Sequence, residues 1–298
     1  MQRIYPCIWL NNQADEAAKL YTSTFENSRI GKVTHYGESG ADVSGMPKGS
    51  VLTVDLEIAG CHAQLLNGGS YYQQTPSVSL FVTCGSKAEV DKIFGRLSPG
   101  GKVLMELGEY PFSQRYVFFS DKFGVHWQLM FEEGANQKVI PSIIFGGDKK
   151  GFGAKAVDFY LSLFKNSRKL VDERYKKGEG GKEGSVKHAR LSLDGSELVI
   201  MDSGHDAPMT LNGAISLVVT CKDQAEVDRF WDAIRKAGKE VQCGWIEDEF
   251  GVSWQIVPAG LESILYSSDA EKSERATAAM LQMKKLDINV LKRVYAGA

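Results

Sequence analysis

The sequence predicts an α+β protein in two tandem copies, each copy running strand, helix and three strands, twice over. Three observations carry this. The phrase DKFGVHWQLM, Asp121 to Met130, returns as DEFGVSWQIV, Asp248 to Val257. Three further pairs keep the same order: IYPCIWL with VIPSIIF, with Pro6 laid on Pro141; AAKLYTSTFENSR with AVDFYLSLFKNSR; and SLFVTCGSKAEVD with SLVVTCKDQAEVD. Finally, most strand connections are of hairpin length, which argues against a parallel doubly wound sheet.

The elements follow in order. After the opening strand at Ile4, Asn12 with Asp15 three residues on is close to a capping box, and Ala17, Ala18, Tyr21 and Phe25 recur at helical spacing. SVLTVDLEIAG and CHAQLLNGG are short, β-rich and separated by a glycine turn, so they read as a hairpin. Asn67 to Gly69 reads as a turn whose residues tolerate positive φ. SVSLFVTC is the next strand, and Ser86 with Glu89 opens the helix KAEVDKIFGRL, as Asp223 with Glu226 does in the second copy. Strands around RYVFF and GVHWQLM close the copy. The glycine-rich stretches GESGADVSGMPKGS and GEGGKEG read as matched flexible loops. EEGANQK, Glu132 to Lys138, is the linker, giving domains at 1–132 and 138–260. Beyond them 261–298 reads as two helices, one opened by Ser268 with Glu271 and one by Asp287, packing on their own domain or on a neighbouring chain.

Composition limits the partners. In 298 residues, 43% are hydrophobic and 24% charged, enough apolar content for a sizeable core. A formal charge of −2 without a dense basic block argues against nucleic acid or an anionic membrane as partner. A small-molecule ligand is the expected partner. Five cysteines without a C-x-x-C pair suit a reducing compartment, Cys84 and Cys221 reading as core thiols. With no signal-like N-terminus and no run of about 18 apolar residues, the expected location is cytoplasmic.

Together, the P-x-I/L-W opening, the FY…F..S helix, LNGG, F-V-x-C-x-x-x-x-E-V-D, D-x-F-G-V-x-W-Q and the tail phrase AAMLQMKKLDI resemble the PhnB-like branch of the vicinal oxygen chelate (glyoxalase/bleomycin-resistance) superfamily, whose members are labelled 3-demethylubiquinone-9 3-methyltransferase-like. The resemblance spans essentially the whole chain. It implies tandem glyoxalase-like domains, each of two βαβββ modules in a half-open barrel, with a C-terminal helical tail. In metal-dependent members, His and Glu from the first and fourth strands of each module hold a divalent ion. Carried over, those positions are Pro6 or Cys7, Gln64, Ser77 and Gln128 in the first copy, and Pro141 or Ser142, Val199, Ala214 and Gln255 in the second. No metal ligand is assigned, because these side chains bring no formal charge. No cofactor is expected. GEGGKEG precedes a strand rather than a helix, so it lacks the setting of a methyl-donor glycine motif.

Strand alternation puts Val125, Trp127, Leu129 and Phe131 on one face and His126, Gln128 and Met130 on the other. By the same rule His62 shares a face with Gln64. If the two faces belong to one half-barrel, Trp9, His62, Gln64, Ser77, Gln128 and Gln255 are candidates to contact a ligand, with Tyr71 and Tyr72 as further wall. His126 is then the candidate acid or base, although a lone strand histidine is more often a hydrogen-bonded surface group. The second copy has Ser253 and Glu197 where the first has His126 and His62, which confines such chemistry to the first copy or shares it across both. Modules from different copies, or from two chains in a homodimer, are both open as partners across a cavity. Two functions follow: a metal-free module binding a small polar metabolite, or a metal-dependent lyase, isomerase or dioxygenase.

Overall fold

The computed structural model describes residues 3–205 and 209–297. The first copy contains β1 (Ile4–Leu10), α1 (Ala14–Thr24), β2 (Arg29–His35), α2 (Glu38–Ser44), β3 (Val51–Ile58), β4 (Cys61–Asn67), β5 (Val78–Cys84), α3 (Lys87–Leu97), β6 (Lys102–Tyr110), β7 (Ser113–Ser120) and β8 (His126–Phe131). The second contains β9 (Lys138–Phe145), α4 (Gly153–Leu163), β10 (Ser167–Arg174), β11 (Val186–Leu193), β12 (Ser196–Asp202), β13 (Ile215–Cys221), α5 (Gln224–Arg235), β14 (Lys239–Glu240), β15 (Trp245–Glu247) and β16 (Ser253–Pro258). A tail of α6 (Leu261–Leu265), α7 (Ala270–Leu281) and α8 (Ile288–Ala296) follows.

The two sheets do not follow the copies. One has the order β14-β15-β16-β13-β1-β4-β3-β2, the other β10-β11-β12-β9-β5-β8-β7-β6. Each therefore joins the N-terminal module of one copy to the C-terminal module of the other. The seams are antiparallel, β1 against β13 from Ile4↔Val219 to Ile8↔Ile215, and β5 against β9 from Val78↔Ile143 to Thr83↔Lys138. Pairing satisfies edges that a single module would leave open.

The helix-side cores, by contrast, largely follow the copies. Tyr21, Trp127, Val90 and Ile93 belong to one cluster, and Tyr160, Trp254, Val227 and Phe230 to the other. The duplicated phrase explains itself here. Asp121 is 2% exposed; its Oδ1 accepts from the amides of Phe123 (2.8 Å) and Val125 (3.1 Å). Oδ2 accepts from Tyr21 Oη (2.7 Å) and Trp127 Nε1 (2.9 Å). Asp248 repeats all four bonds with Phe250, Val252, Tyr160 and Trp254. The carboxylate closes the turn and locks helix and strand indole together, and the turn's glycine is at φ 81° in Gly124 and 92° in Gly251.

Some expectations need correction. Ser86 and Asp223 cap their helices as expected, accepting from Glu89 N at 3.1 Å and Glu226 N at 2.9 Å. Asn12 does not cap α1: the residue before the helix is Gln13, without a side-chain bond, and Ala14 N instead donates to Asn67 Oδ1 at 2.9 Å. LNGG is therefore more than a turn, since it holds a helix start across the sheet. The stretch from Gly37 is not wholly loop, because α2 forms within it and ends on Gly45 at φ 72°. The tail has a short α6 that the pattern did not show, and α7 is capped by Asp269, not Ser268. All five cysteines are free thiols, Cys84 and Cys221 fully buried. No helix among the described residues is long and apolar enough to cross a membrane.

Candidate functional site

Helices cover one face of each sheet, and the candidate residues lie on the other, called here the inner face. The alternation read from sequence holds: Trp127 and Leu129 enter the helix-side core, while Met130 packs with inner-face residues. The candidates nevertheless separate. Trp9, His62, Gln64 and Gln255 belong to the first sheet, and Ser77, His126 and Gln128 to the second. The expectation that one half-barrel presents both imidazoles with Ser77 is thus corrected, because β4 and β8 fall in different sheets.

In the middle of the first sheet, β1 lies between β4 and β13, and the register sets Cys7 beside both Gln64 and Ser216. Cys7 Sγ donates to Gln64 Oε1 at 3.7 Å, Gln64 Nε2 to Asp55 Oδ1 at 3.0 Å, and Gln255 Nε2 to Ser216 Oγ at 2.9 Å. Gln64 and Gln255 are half-buried, less enclosed than Gln128. Burial pushes the Cys7 thiol up to about 12 and raises Asp55, which keeps the first neutral and the second less acidic than an exposed aspartate.

Two aromatic groups flank this middle. Trp9, Tyr72 and Trp245 form a corner, with Trp9 5.0 Å from Tyr72 and 6.1 Å from Trp245 between ring centroids. Gly68 backs it, since a Cβ there would lie 2.2 Å from the Trp9 ring. Tyr71 extends from the corner against Tyr72 but is 79% exposed. At the other end Tyr5 meets His62 edge to face at 4.3 Å. The tail roofs part of this face. Val257 bridges the inner-face cluster of Tyr5, Cys7 and Val218 to the tail cluster around Leu261 and Ile264. Lys32 reaches from β2 to Glu262 of α6 at 3.3 Å and lies 5.0 Å from the Tyr266 ring.

The second sheet's inner face is more closed and more apolar. Gln128 is 2% exposed and saturated: Nε2 donates to Ser79 Oγ (2.8 Å) and Ser142 Oγ (3.3 Å), and Oε1 accepts from Tyr116 Oη (2.6 Å). Around it lie Phe81, Ile140, Val199, Phe118 and Ile144 with several methionines. Burial lowers the His126 imidazole to about 4.

The serines bonded to Gln128 and Gln255 are Ser79 and Ser216, not Ser77 and Ala214, which lie two residues earlier in the turns leading into β5 and β13. Both copies read S-L-x-V-T-C from this serine, a shared position that could have identified it. Between the alternatives at the opening strands, Cys7 and Ser142 take the inner face. Trp245 and Asp55 gave no sequence signal, as β15 is only three residues long and an aspartate in a strand is usually solvated. Arg115 and Lys122 are ion-paired to Asp91 and Glu16.

A divalent metal does not suit these donors. Cys7, Gln64, Ser216 and Gln255 are all neutral, and among the described residues no group of three or more His, Cys, Asp or Glu is placed to hold a metal ion. GEGGKEG lies in the β10–β11 hairpin, where Gly184 N bonds Tyr175 O at 2.9 Å, and not at a helix start.

Two mixed sheets with outer helices and a free inner face define a protein of the glyoxalase fold. Residues 2–130 and 137–257 each match the family described as 3-demethylubiquinone-9 3-methyltransferase, and the chain belongs to that PhnB-like family. Glyoxalase I from Zea mays is 12% identical with a TM-score of 0.54, over 85% of this chain and 91% of its own. PhnB protein from Bacillus cereus is 33% identical, covering 44% of this chain and 100% of its own, with a TM-score of 0.40. No functionally curated protein matches.

Proposed function

We propose that the chain is a binding module that takes a small, planar, polar molecule on the first sheet's inner face, between the Trp9–Tyr72–Trp245 corner and the Gln64/Gln255 pair. The observation that carries this is the difference between equivalent glutamines: Gln128 is buried and saturated, whereas Gln64 and Gln255 are half-open beside stacked aromatics. A carboxamide offers a donor and an acceptor together, matching the edge of an amide, imide or nucleobase-like ring, and aromatic walls take its faces. The neutral donor set favours hydrogen bonding over Lewis-acid chemistry, and His126, in the other sheet, has no part in this site.

Thermal-shift titration with uracil and nicotinamide, with and without Zn²⁺, Ni²⁺ and Mn²⁺, tests the reading. At least one of the two organic probes should stabilise the wild type without metal and lose its effect in Gln64→Leu/Gln255→Leu. Stabilisation that requires a metal, or that survives the double substitution, would contradict it.

A further inference from the structure

We infer that the second sheet's inner face holds a separate binding site of opposite character, for a small aromatic molecule bearing one hydrogen-bond donor aimed at His126. The imidazole is 8% exposed, and its Nδ1 is buried without a hydrogen-bond partner. Ser77 is fully buried, and its Oγ is unpartnered as well. Ser77 sits in the turn that leads into β5, its carbonyl accepting from Ile144 N at 2.7 Å, and β5 and β8 run parallel in the register Leu80↔Trp127, which aligns His126 with Ser79, two residues beyond Ser77.

Buried polar atoms are almost always paired, by protein, water or ligand, so two unpaired ones at this end of the sheet call for an occupant. With burial holding the imidazole neutral, one of its ring nitrogens is an acceptor near pH 7. The surroundings set the rest of the ligand. Phe118 lies 6.0 Å from His126 between ring centroids, and Met105, Met130, Met201 and Met209 pack over Phe118, Ile144 and Tyr116. Thioether side chains are unbranched and polarisable, so they can repack around an aromatic guest. The first sheet has Ala214 and Ser253 at the matching positions, which ties the feature to this sheet alone.

Methyl-¹³C-methionine NMR separates the two faces. Four of the eight methionines pack on this face, and Met280 and Met283 pack in the tail beside the first sheet. Phenol, which can donate, and toluene, which cannot, are the probes. Phenol should shift the Met105, Met130, Met201 and Met209 methyls saturably and leave Met280 and Met283 unmoved. Toluene should bind at least tenfold more weakly, and His126→Phe should abolish the difference. Ser77→Ala, which adds no bulk, should weaken phenol at least threefold without affecting toluene. Absence of saturable shifts, equal affinity for both probes, or a phenol preference that survives His126→Phe would overturn the inference, leaving water as the occupant. Failure of uracil or nicotinamide to bind the first sheet bears on neither arm.

Discussion

At the residue scale, the buried aspartate of each repeated phrase is the most informative side chain. Asp248 is 3% exposed, and burial raises its carboxyl to about 6 despite four donated hydrogen bonds. The folded chain thus holds that proton more tightly than the unfolded chain, whose carboxyl titrates at about 4. The resulting stability is complete below about 4 and is lost as pH rises through about 6. Urea unfolding of wild type and Asp248→Asn should give a difference that moves against the wild type between pH 4 and 6 and then levels; a pH-independent difference would show that the carboxyl does not titrate in this window. His126 has the opposite sign. Its folded value of about 4 lies below the usual value near 6.5, so its share of stability is present above about 6.5 and is lost as pH falls through about 4. His126→Phe should therefore flatten part of the acid-side loss in the same experiment. The inward residues of β4 and β8 were legible from alternation, because a strand fixes parity, whereas Trp245 and Asp55 were not. The serines bonded to Gln128 and Gln255 were marked only by the S-L-x-V-T-C phrase shared by both copies, because the register that brings Ser79 and Ser216 to them is set between strands and not within one.

At the element scale, loops turned out to perform structural work that their composition hides. Asn67 is 2% exposed, accepting from Ala14 N and donating to Val51 O at 3.0 Å, so it ties β4, α1 and β3 together. Asn67→Ala removes a helix cap and strands buried partners, a loss on the order of 1–3 kcal/mol in denaturant unfolding. The starts of α3 and α5, Ser86 with Glu89 and Asp223 with Glu226, were readable locally, whereas Ser268 with Glu271 missed the cap of α7 by one residue. The α1 cap was not readable, because its acceptor lies far away in sequence. The tail shows the same limit. Two of its helices were read from start signals, but their docking rests on distant contacts: Glu274 takes the amides of Glu38 and Ser39, and Cys243 N and Gly244 N donate to Met283 O and Lys284 O, each at 2.7 Å. Glu274→Ala should loosen this roof, seen as faster amide exchange in α7 and α2 with the cores unchanged. Uniform exchange across the chain would show that the roof is held elsewhere.

At the scale of the molecule, duplication in sequence and division in space do not coincide. Each copy keeps a core under its own helices, yet each sheet needs both copies, since β1 pairs β13 and β5 pairs β9. The repeat revealed the number of units. It could not reveal the pairing, because the strands at the seams are buried on both faces and read as the same apolar run whichever partner they meet. Residues 1–132 expressed alone would expose both seam edges, so sedimentation should find a dimer; a stable monomer would contradict the role given to the seams. In the proposed function the first sheet's middle takes a polar organic molecule through neutral carboxamides and not a cation. Equilibrium dialysis against Zn²⁺ or Mn²⁺ with metal analysis tests it most directly. The wild type should retain no stoichiometric ion, and Gln64→Glu/Gln255→Glu should gain one. An ion retained at about one per chain by the wild type, and lost in Gln64→Leu, would contradict the account.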